Sequence, residues 1–379
     1  MDTVAGFKTS AVASGIKANG ALDLALIYSE TPAVTSAVFT QNRFAAAPVI
    51  LSKKHLQASG HRIRALIANS GNANAATGDD GMRRAKSCAD ALAQKLECRP
   101  EEILVASTGV IGRGLASENI CNAIPALVQG LATSNTGLLA RAIMTTDKVP
   151  KIASAAAGSA RITGVTKGAG MIHPDMATML AFIMTDAVVE HKELESALRY
   201  AVDRSFNAIS VDGDTSTNDM VAVLANGASG QRVAPAEFQE KLRGVCEQLA
   251  KAIVRDGEGA TKFVELTVEE APSDEAARQI GRAIARSPLV KTAIYGADPN
   301  WGRIVAAAGN TGIPLESDRI DIYVGDINIV DGNLDKAKRK LSEPEIQIRV
   351  ALHSGKGFAR VWTCDLTHEY ININADYTT

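Results

Sequence analysis

The sequence predicts a layered α/β fold. Segments with the apolar runs or alternation of strands are interleaved with segments whose apolar residues recur at helical spacing. Such interleaving favours layered α/β packing over an all-α or all-β fold. The chain has 379 residues, which is long for one ordinary core, so one large domain or two are expected. Only 4% of the residues are aromatic, so the core is expected to consist mainly of Ala, Val, Ile and Leu.

The first elements are two apolar strands, LDLALIYS (22–29) and TSAVFTQNRF (35–44). The next segment, 63–81, begins as the strand IRALIANS and runs into a loop rich in Gly, Asn and Asp. A helix is predicted from Arg84 to Leu96, because its apolar residues share one face: Ala85, Cys88, Ala89, Leu92 and Leu96.

Alternation of strands and helices continues along the chain. The segment 103–112 (ILVASTGVIG) is a strand that ends in a Gly-containing turn, and 118–131 is a helix that Pro125 could interrupt. The remaining predicted elements before residue 265 are strands at 160–168, 177–189 and 220–227 and a helix whose apolar face carries Leu194, Leu198, Ala201, Val202 and Phe206.

Beyond about residue 265 the sequence pattern changes. The segment 269–287 reads as a charged amphipathic helix, whereas 319–330 and 345–355 alternate apolar and polar residues, as half-buried antiparallel strands do. We therefore predict a larger α/β domain over 1–265 and a smaller one over 266–379.

Composition excludes several classes of partner. The net charge of −2 gives no basic surplus for nucleic acid, and no apolar run approaches the roughly 18 residues that a membrane span needs. Five scattered cysteines without a C-x-x-C pair indicate reduced thiols, and no secretory leader is evident. A cytoplasmic protein is expected.

Common catalytic and metal-binding motifs are absent from the sequence. It contains no G-x-S-x-G, H-E-x-x-H, G-x-x-x-x-G-K-[ST] or G-x-G-x-x-G, and its six histidines lack metal spacing. The loop DGDTSTND (212–219) resembles the start of a calcium loop, but Thr217 stands where Gly is needed and Val223 where the closing Glu is needed. We therefore expect no metal and no prosthetic group.

The stretch KGAGMIHPDMATML (167–180) places Thr178 between a glycine-rich turn and an apolar strand. Thr178 is either an ordinary strand residue or a nucleophile. No histidine dyad is evident. His173 is as consistent with a plain loop residue as with a role near the site. Cleavage between Ala177 and Thr178 would give Thr178 a free α-amine, whose reference pKa of about 7.7–8.0 suits a general base.

The stretch 167–180 resembles the signature of the glutamate N-acetyltransferase (ornithine acetyltransferase) family of arginine biosynthesis, whose members are self-cleaving N-terminal-threonine enzymes. Further segments match the family in order along the chain, from residue 69 to the last residue. They are NSGNANAATG (69–78), ASTGVIG (106–112), MTTDKVPK (144–151), SVDGDTSTND (210–219), RDGEGATK (255–262), YGADPNWGR (295–303) and ININADYTT (371–379). The resemblance implies an α/β/β/α sandwich with a smaller α/β domain.

The resemblance also implies residue roles. Thr178 matches the nucleophile, with autocatalytic cleavage between Ala177 and Thr178 into an α chain, 1–177, and a β chain, 178–379. Thr108 and Gly109 match the oxyanion pair, a side-chain hydroxyl and a backbone N–H. Substrate-binding positions match Lys167, Glu258, Asn374, Thr379, Thr178 itself and a threonine of MTTD, either Thr145 or Thr146.

The substrates implied by the resemblance are N2-acetylornithine and glutamate, each with a carboxylate and an ammonium. Lys167 is expected to pair with carboxylate and Glu258 with ammonium. The C-terminal tail is expected to fold back over the pocket. The loops 69–78 and 212–219 either shape the site or are structural support, and Trp301 serves packing or function.

The function implied is acetyl transfer from N2-acetylornithine to glutamate by double displacement through acetyl-Thr178. Acetyl-CoA is an alternative donor that no residue decides, and a homo-oligomer of αβ units is expected. A self-processing aminopeptidase or amidase that uses water as acceptor stays open, as does an uncleaved non-enzymatic binding protein.

Overall fold

Two β-sheets, each flanked by helices, make up the computed structural model, which describes residues 3–173, 179–316 and 319–376. The strands are β1 Phe7–Val12, β2 Leu24–Phe39, β3 Arg62–Asn72, β4 Ile103–Val110, β5 Lys151–Ala157, β6 Ala160–Lys167, β7 Leu180–Thr185, β8 Ile209–Ser210, β9 Met220–Ala225, β10 Phe263–Ala271, β11 Asp321–Val324, β12 Ile327–Asn328, β13 Glu345–Ala351 and β14 Gly357–Cys364. The helices are α1 Ala47–Ala58, α2 Gly78–Leu96, α3 Ser117–Gln129, α4 Thr136–Ala142, α5 His191–Asp203, α6 Pro235–Arg255, α7 Asp274–Arg286, α8 Pro288–Tyr295, α9 Trp301–Gly309, α10 Leu334–Leu341 and α11 His368–Asp376. The predicted α/β class is confirmed.

The first sheet is folded by its longest strand, β2. The sheet has the order β4-β3-β2-β9-β7-β6-β5, with β1 also paired to β2. The pairing of β2 with β3 shifts register between Tyr28 and Ala33, across Pro32, and the strand pairs with β9 from Val34 to Phe39. Proline has no N–H to donate and commonly marks such irregularities. The two strands predicted at 22–29 and 35–44 are therefore one strand that serves both parts of the sheet.

Folding of the first sheet produces four layers. Ile67 and Val105, on the outer face of β3 and β4, pack in one core with Leu92 of α2 and Ile120 of α3. Their neighbours Leu66 and Leu104 point the other way, into an inner core shared with Phe182 of β7 and Leu224 of β9. Ile183 and Val223 then face Leu198 of α5 and Leu249 of α6. The alternation of side chains along each strand thus builds the helix–sheet–sheet–helix order of the predicted sandwich.

The second sheet has the order β12-β11-β13-β10-β14-β8. Its core joins Ile280 and Ile284 of α7 to Val268 of β10 and Val361 of β14. β13 pairs antiparallel with β11 but parallel with β10, so the purely antiparallel prediction for 345–355 is wrong on one side. β8 lies before residue 265 yet pairs with β14, and the division near residue 265 stays a prediction.

Two predicted helices differ from the structure. α3 continues through Pro125, which is exposed and has no N–H to donate to the carbonyl of Cys121. The helix predicted over 269–287 begins only at Asp274, because the Ser273 hydroxyl caps it by accepting from the N–H of Ala276 at 3.1 Å. Residues 269–271 belong to β10.

All five cysteines are free thiols. Within the ranges that the structure describes, no helix has the length and apolar character to cross a membrane.

Candidate active site

One cavity gathers most of the residues that sequence analysis singled out. Its lining consists of Ala73, Thr108, Gly109, Ile111, Thr145, Thr146, Lys167, Gly170, Met171, Ser216, Asn218, Glu258 and Asn374. Both candidate threonines of MTTD therefore line it. Ala177, Thr178 and Thr379 lie outside the described residues, so their roles stay predictions. β7 begins two residues after Thr178, and its first residue, Leu180, pairs with Lys167 of β6.

Thr108 and Gly109 lie where β4 ends, beside Ser70 and Gly71 of the parallel strand β3. Gly109 has φ of 131°, a conformation that residues with a side chain rarely adopt. A Cβ on Gly109 would lie 2.3 Å from the carbonyl carbon of Gly71 and 2.5 Å from the backbone nitrogen of Asn72. Glycine is therefore required here by both conformation and space.

Because the Gly109 N–H is a predicted oxyanion donor, Gly109→Ala is expected to lower kcat by about 10²–10³-fold, the loss seen when one such donor is removed. The added methyl group must displace β3 or rotate the Gly109 peptide, and either change misdirects its N–H. The matched control is Gly114→Ala, since a Cβ on Gly114 meets nothing within 4 Å. Steady-state rates of both variants, per mole of folded protein, would test this. Equal rates for the two variants would contradict it.

Lys167 is buried, with 4% of its surface exposed, at the end of β6. Its Nζ donates to Thr108 Oγ1 at 3.2 Å. Among the described residues no carboxylate oxygen lies within 4.0 Å of this ammonium. Burial lowers the pKa of Lys167, and the carboxylate of Asp147 opposes that effect. The ammonium can therefore accept an anionic ligand in the cavity.

A buried ion cluster, missed by sequence analysis, supports the cavity from behind. Lys151 Nζ lies 2.6 Å from Asp147 Oδ1 and 2.5 Å from Asp256 Oδ2, and all three side chains are buried. Asp147 and Lys151 belong to the segment 144–151, whereas Asp256 belongs to 255–262. The cluster therefore ties two motif segments together. Asp147 and Lys151 were both visible in MTTDKVPK, but nothing in the sequence indicated their distant partner Asp256.

Asp147 also holds the backbone of two cavity segments. Its carboxylate accepts from the N–H of Gly168 at 2.7 Å and from the N–H of Thr145 at 3.0 Å. Burial alone would raise the pKa of Asp147, but Lys167 and Lys151 outweigh it and lower the pKa to about 2. Asp147 is thus ionised throughout the physiological range and positions both Thr145 and the residue after Lys167.

The C-terminal helix α11 brings Asn374 to Glu258. Asn374 Nδ2 donates to Glu258 Oε2 at 3.0 Å, and the N–H of Glu258 donates to the carbonyl of Ala169 at 2.8 Å. Gly259, with φ of 68°, lets α11 approach closely, because a Cβ there would lie 2.3 Å from the backbone nitrogen of Tyr370. Glu258 is therefore held by the segment at Ala169 through its backbone and by the C-terminal helix through its carboxylate.

The loops 69–78 and 212–219 contact each other around the cavity. Asn218 Nδ2 donates to the carbonyls of Ala73, at 2.6 Å, and Ser107, at 2.9 Å. Ser107 Oγ donates to Asn69 Oδ1 at 2.6 Å. These contacts hold the strand end that carries Thr108.

Two aspartates of the loop 212–219 bind backbone amides on either side of the predicted cleavage bond. Asp212 accepts from the N–H groups of Met171, at 2.5 Å, and Ile172, at 2.8 Å. Asp219 Oδ1 accepts from the N–H of Met179 at 2.9 Å, and its Oδ2 has no partner among the described residues. Burial raises the pKa of both carboxyl groups, that of Asp212 to about 6.

Asp212 is expected to add a pH dependence to stability. The folded protein binds the Asp212 proton more tightly than the unfolded chain, whose reference pKa is 3.8. Its contribution to the free energy of unfolding is thus present below about pH 4 and lost as the pH rises through about 6. Urea midpoints measured from pH 4 to pH 7 should fall more steeply for the wild type than for Asp212→Asn. Parallel pH profiles would contradict this assignment.

Two residues that sequence analysis left undecided do not line the cavity. The His173 ring lies 3.2 Å from Ser210 Oγ, and Trp301 begins α9 with 38% of its surface exposed. In the described ranges, no group of three or more His, Cys, Asp or Glu side chains is placed to hold a metal ion.

Comparison with known proteins gives consistent matches. The model of the ArgJ family matches residues 8–379. An arginine biosynthesis bifunctional protein ArgJ from Geobacter sulfurreducens is 48% identical over 99% of this chain and 100% of its own length. A protein of the same name from Chlorobaculum tepidum is 48% identical over 98% of this chain and 95% of its own length. A crystal structure of arginine biosynthesis bifunctional protein argJ from Bacillus halodurans is 45% identical, with a TM-score of 0.51, and covers 53% of this chain and 100% of the solved one.

Proposed function

Because the chain belongs to the ArgJ family, we propose that it transfers an acetyl group from N2-acetylornithine to glutamate through an acetyl-Thr178 intermediate. Family membership confirms the resemblance found in the sequence and the prediction of an acyltransferase of arginine biosynthesis. The donor, the acceptor and the covalent intermediate are the parts that we propose.

Maturation is proposed to precede catalysis. Thr178 Oγ attacks the carbonyl carbon of Ala177, and hydrolysis of the resulting ester leaves residues 1–177 and 178–379. The solved Bacillus halodurans chain is matched over its whole length and yet covers 53% of this chain. Residues 178–379 are just over half of the sequence, so a match of that size supports a cleaved precursor.

The proposed reaction uses the amine and the hydroxyl of Thr178. The amine takes the hydroxyl proton while Oγ attacks the acetyl carbonyl carbon of the donor. The oxyanion that forms accepts hydrogen bonds from the Thr108 hydroxyl and the Gly109 N–H. The C–N bond then breaks, the proton moves to the leaving amine, and ornithine departs. Glutamate attacks the ester in the same way and leaves as N-acetylglutamate. The scheme needs no metal or prosthetic group.

Substrate selection is proposed to depend on the two charges in the cavity. Lys167 binds a carboxylate and Glu258 an ammonium, which ornithine and glutamate both present. The Asn374–Glu258 hydrogen bond leaves one Glu258 oxygen, Oε1, for the ligand. Asn374 thereby ties substrate binding to the C-terminal helix. We also propose that αβ units, each made of one α chain and one β chain, assemble into a homo-oligomer, as the family resemblance implies.

The observation that carries the proposal is the meeting of Thr108, Gly109, Lys167 and Glu258 in one cavity beside the first residues of β7. Initial rates measured with both substrates varied should give parallel double-reciprocal lines, as double displacement requires. Intersecting lines would contradict the covalent intermediate. Acetyl-CoA replacing acetylornithine in the same assay tests the second donor.

The same assay separates transfer from hydrolysis. Without glutamate, a transferase should release ornithine only in a burst of about one per active site, because acetyl-Thr178 then waits for an acceptor. Steady release of acetate and ornithine without glutamate, at the rate seen with it, would indicate a hydrolase instead.

A further inference from the structure

The buried ammonium of Lys167 contacts the hydroxyl group of Thr108, which is the proposed donor to the oxyanion. Lys167 Nζ and Thr108 Oγ1 are 3.2 Å apart, and both side chains are buried at the cavity wall. This is the one hydrogen bond that the ammonium makes within the described part of the chain. Two of its three N–H groups therefore stay available to a ligand.

The contact determines the direction of the Thr108 hydroxyl. The carboxylates of Asp147, Asp219 and Glu258 favour the protonated form of Lys167, and a protonated lysine can only donate, so Thr108 Oγ1 accepts in this hydrogen bond. The hydroxyl hydrogen then points away from Lys167, and no described residue accepts it. Because Thr108 lines the cavity, its hydrogen is left for a ligand atom there.

The positive charge of Lys167 also favours a Thr108 hydroxyl whose hydrogen points away from it, toward the cavity. The carboxylate that attracts the Lys167 ammonium most strongly is that of Asp147, which already accepts from Lys151 and from two backbone N–H groups. Asp219 and Glu258 also attract the Lys167 ammonium, but among the described residues no carboxylate oxygen lies within 4.0 Å of it, so Thr108 is its direct hydrogen-bond partner. A hydroxyl that accepts from a cation becomes a stronger donor, because hydrogen bonds in a chain polarise one another.

We propose that Lys167 is a positioning residue of the oxyanion site, which directs and strengthens the hydrogen bond from Thr108 to the acyl oxygen. This inference rests on the proposed acyl transfer through Thr178. It goes beyond the binding of a substrate carboxylate, since Lys167 acts here through Thr108 on every acyl donor, charged or neutral. The two remaining N–H groups of Lys167 can still bind a carboxylate.

A neutral acyl donor separates the two roles. p-Nitrophenyl acetate has neither the carboxylate nor the ammonium of acetylornithine, and its attack by Thr178 transfers acetyl and releases p-nitrophenolate. We expect Lys167→Met and Thr108→Val each to slow p-nitrophenolate release by at least about tenfold per mole of cleaved enzyme. The double variant should be within about twofold of Thr108→Val, because both changes remove one shared interaction. Thr108→Ser, which keeps the hydroxyl, should recover most of the rate that Thr108→Val loses.

Several outcomes would overturn the proposal. One is a wild-type rate of Lys167→Met on the neutral ester together with a raised KM for acetylornithine, which leaves Lys167 as a carboxylate anchor only. Another is a double variant whose rate falls by the product of the two single-variant factors, because the two residues would then act independently. If Lys167→Met folds cooperatively but does not cleave, the Thr108 variants decide. Normal cleavage of Thr108→Val overturns the proposal, whereas equal loss in Thr108→Val with cleavage retained in Thr108→Ser supports it.

Failure of the proposed function gives a different result. In that case the wild type would release p-nitrophenolate no faster than Thr178→Ala. A wild type that is active through Thr178, beside an unimpaired Lys167→Met, would refute the role of Lys167 alone.

Discussion

Under denaturing conditions the wild-type protein is expected to separate into two chains, 1–177 and 178–379, whereas Thr178→Ala is expected to stay a single chain. The reason is chemical, because alanine has no hydroxyl to attack the preceding carbonyl. Acetyl transfer should fall to background in the same variant, since neither the nucleophile nor its free α-amine exists. Intact mass and one N-terminal sequencing cycle, which should yield threonine for the second chain, would check both expectations.

Thr178→Ser is the matched variant for this experiment. Serine keeps the hydroxyl, so it should still cleave, and the cleaved fraction should retain acetyl transfer above the Thr178→Ala background. A wild type that remains whole after long incubation would remove the amine from the mechanism. The interpretation of Thr178 as an ordinary strand residue would then be the better one.

Lys151→Met is expected to lower the free energy of unfolding by about 3–5 kcal/mol, the usual loss when one partner of a buried ion pair is removed. Methionine fills a similar volume but removes the cation that contacts both Asp147 and Asp256. Urea unfolding in the uncleaved Thr178→Ala background would measure the loss on a single chain. Activity of the cleaved Lys151→Met enzyme should also fall, because Asp147 positions Thr145 and Gly168.

Lys8→Met provides the control for a lysine that is removed from an exposed ion pair. Lys8 Nζ lies 2.8 Å from Glu30 Oε1, at the surface, where water and salt screen the attraction. Its urea midpoint should match that of the parent. If Lys151→Met also unfolds at the parent midpoint, the buried cluster contributes nothing to stability.

Much of the layered fold could be predicted from side-chain periodicity. The buried faces of α2 and α5 and the apolar strands at 103–110, 160–167 and 220–225 follow the sequence pattern, although Phe206, predicted on the α5 face, lies beyond the end of that helix. α6 was missed although its buried residues recur at helical spacing, so the signal was present. The parallel pairing of β13 with β10 carried no such signal, because alternation shows which face is buried and not the direction of the partner strand.

The sequence by itself determined the family and the predicted chemistry of the candidate site. A threonine behind a glycine-rich turn and the STG strand end match the family's nucleophile and its two oxyanion donors, and such matches depend on residue types in a local order, which the sequence contains. Only the tertiary structure decided how the charges near them are paired. Lys151 meets Asp256 from 105 positions away, and Lys167 meets Thr108 from 59. The free energy of a buried charge depends on its burial and on neighbours from distant segments. The contact between Lys167 and Thr108 therefore exists only in the folded chain.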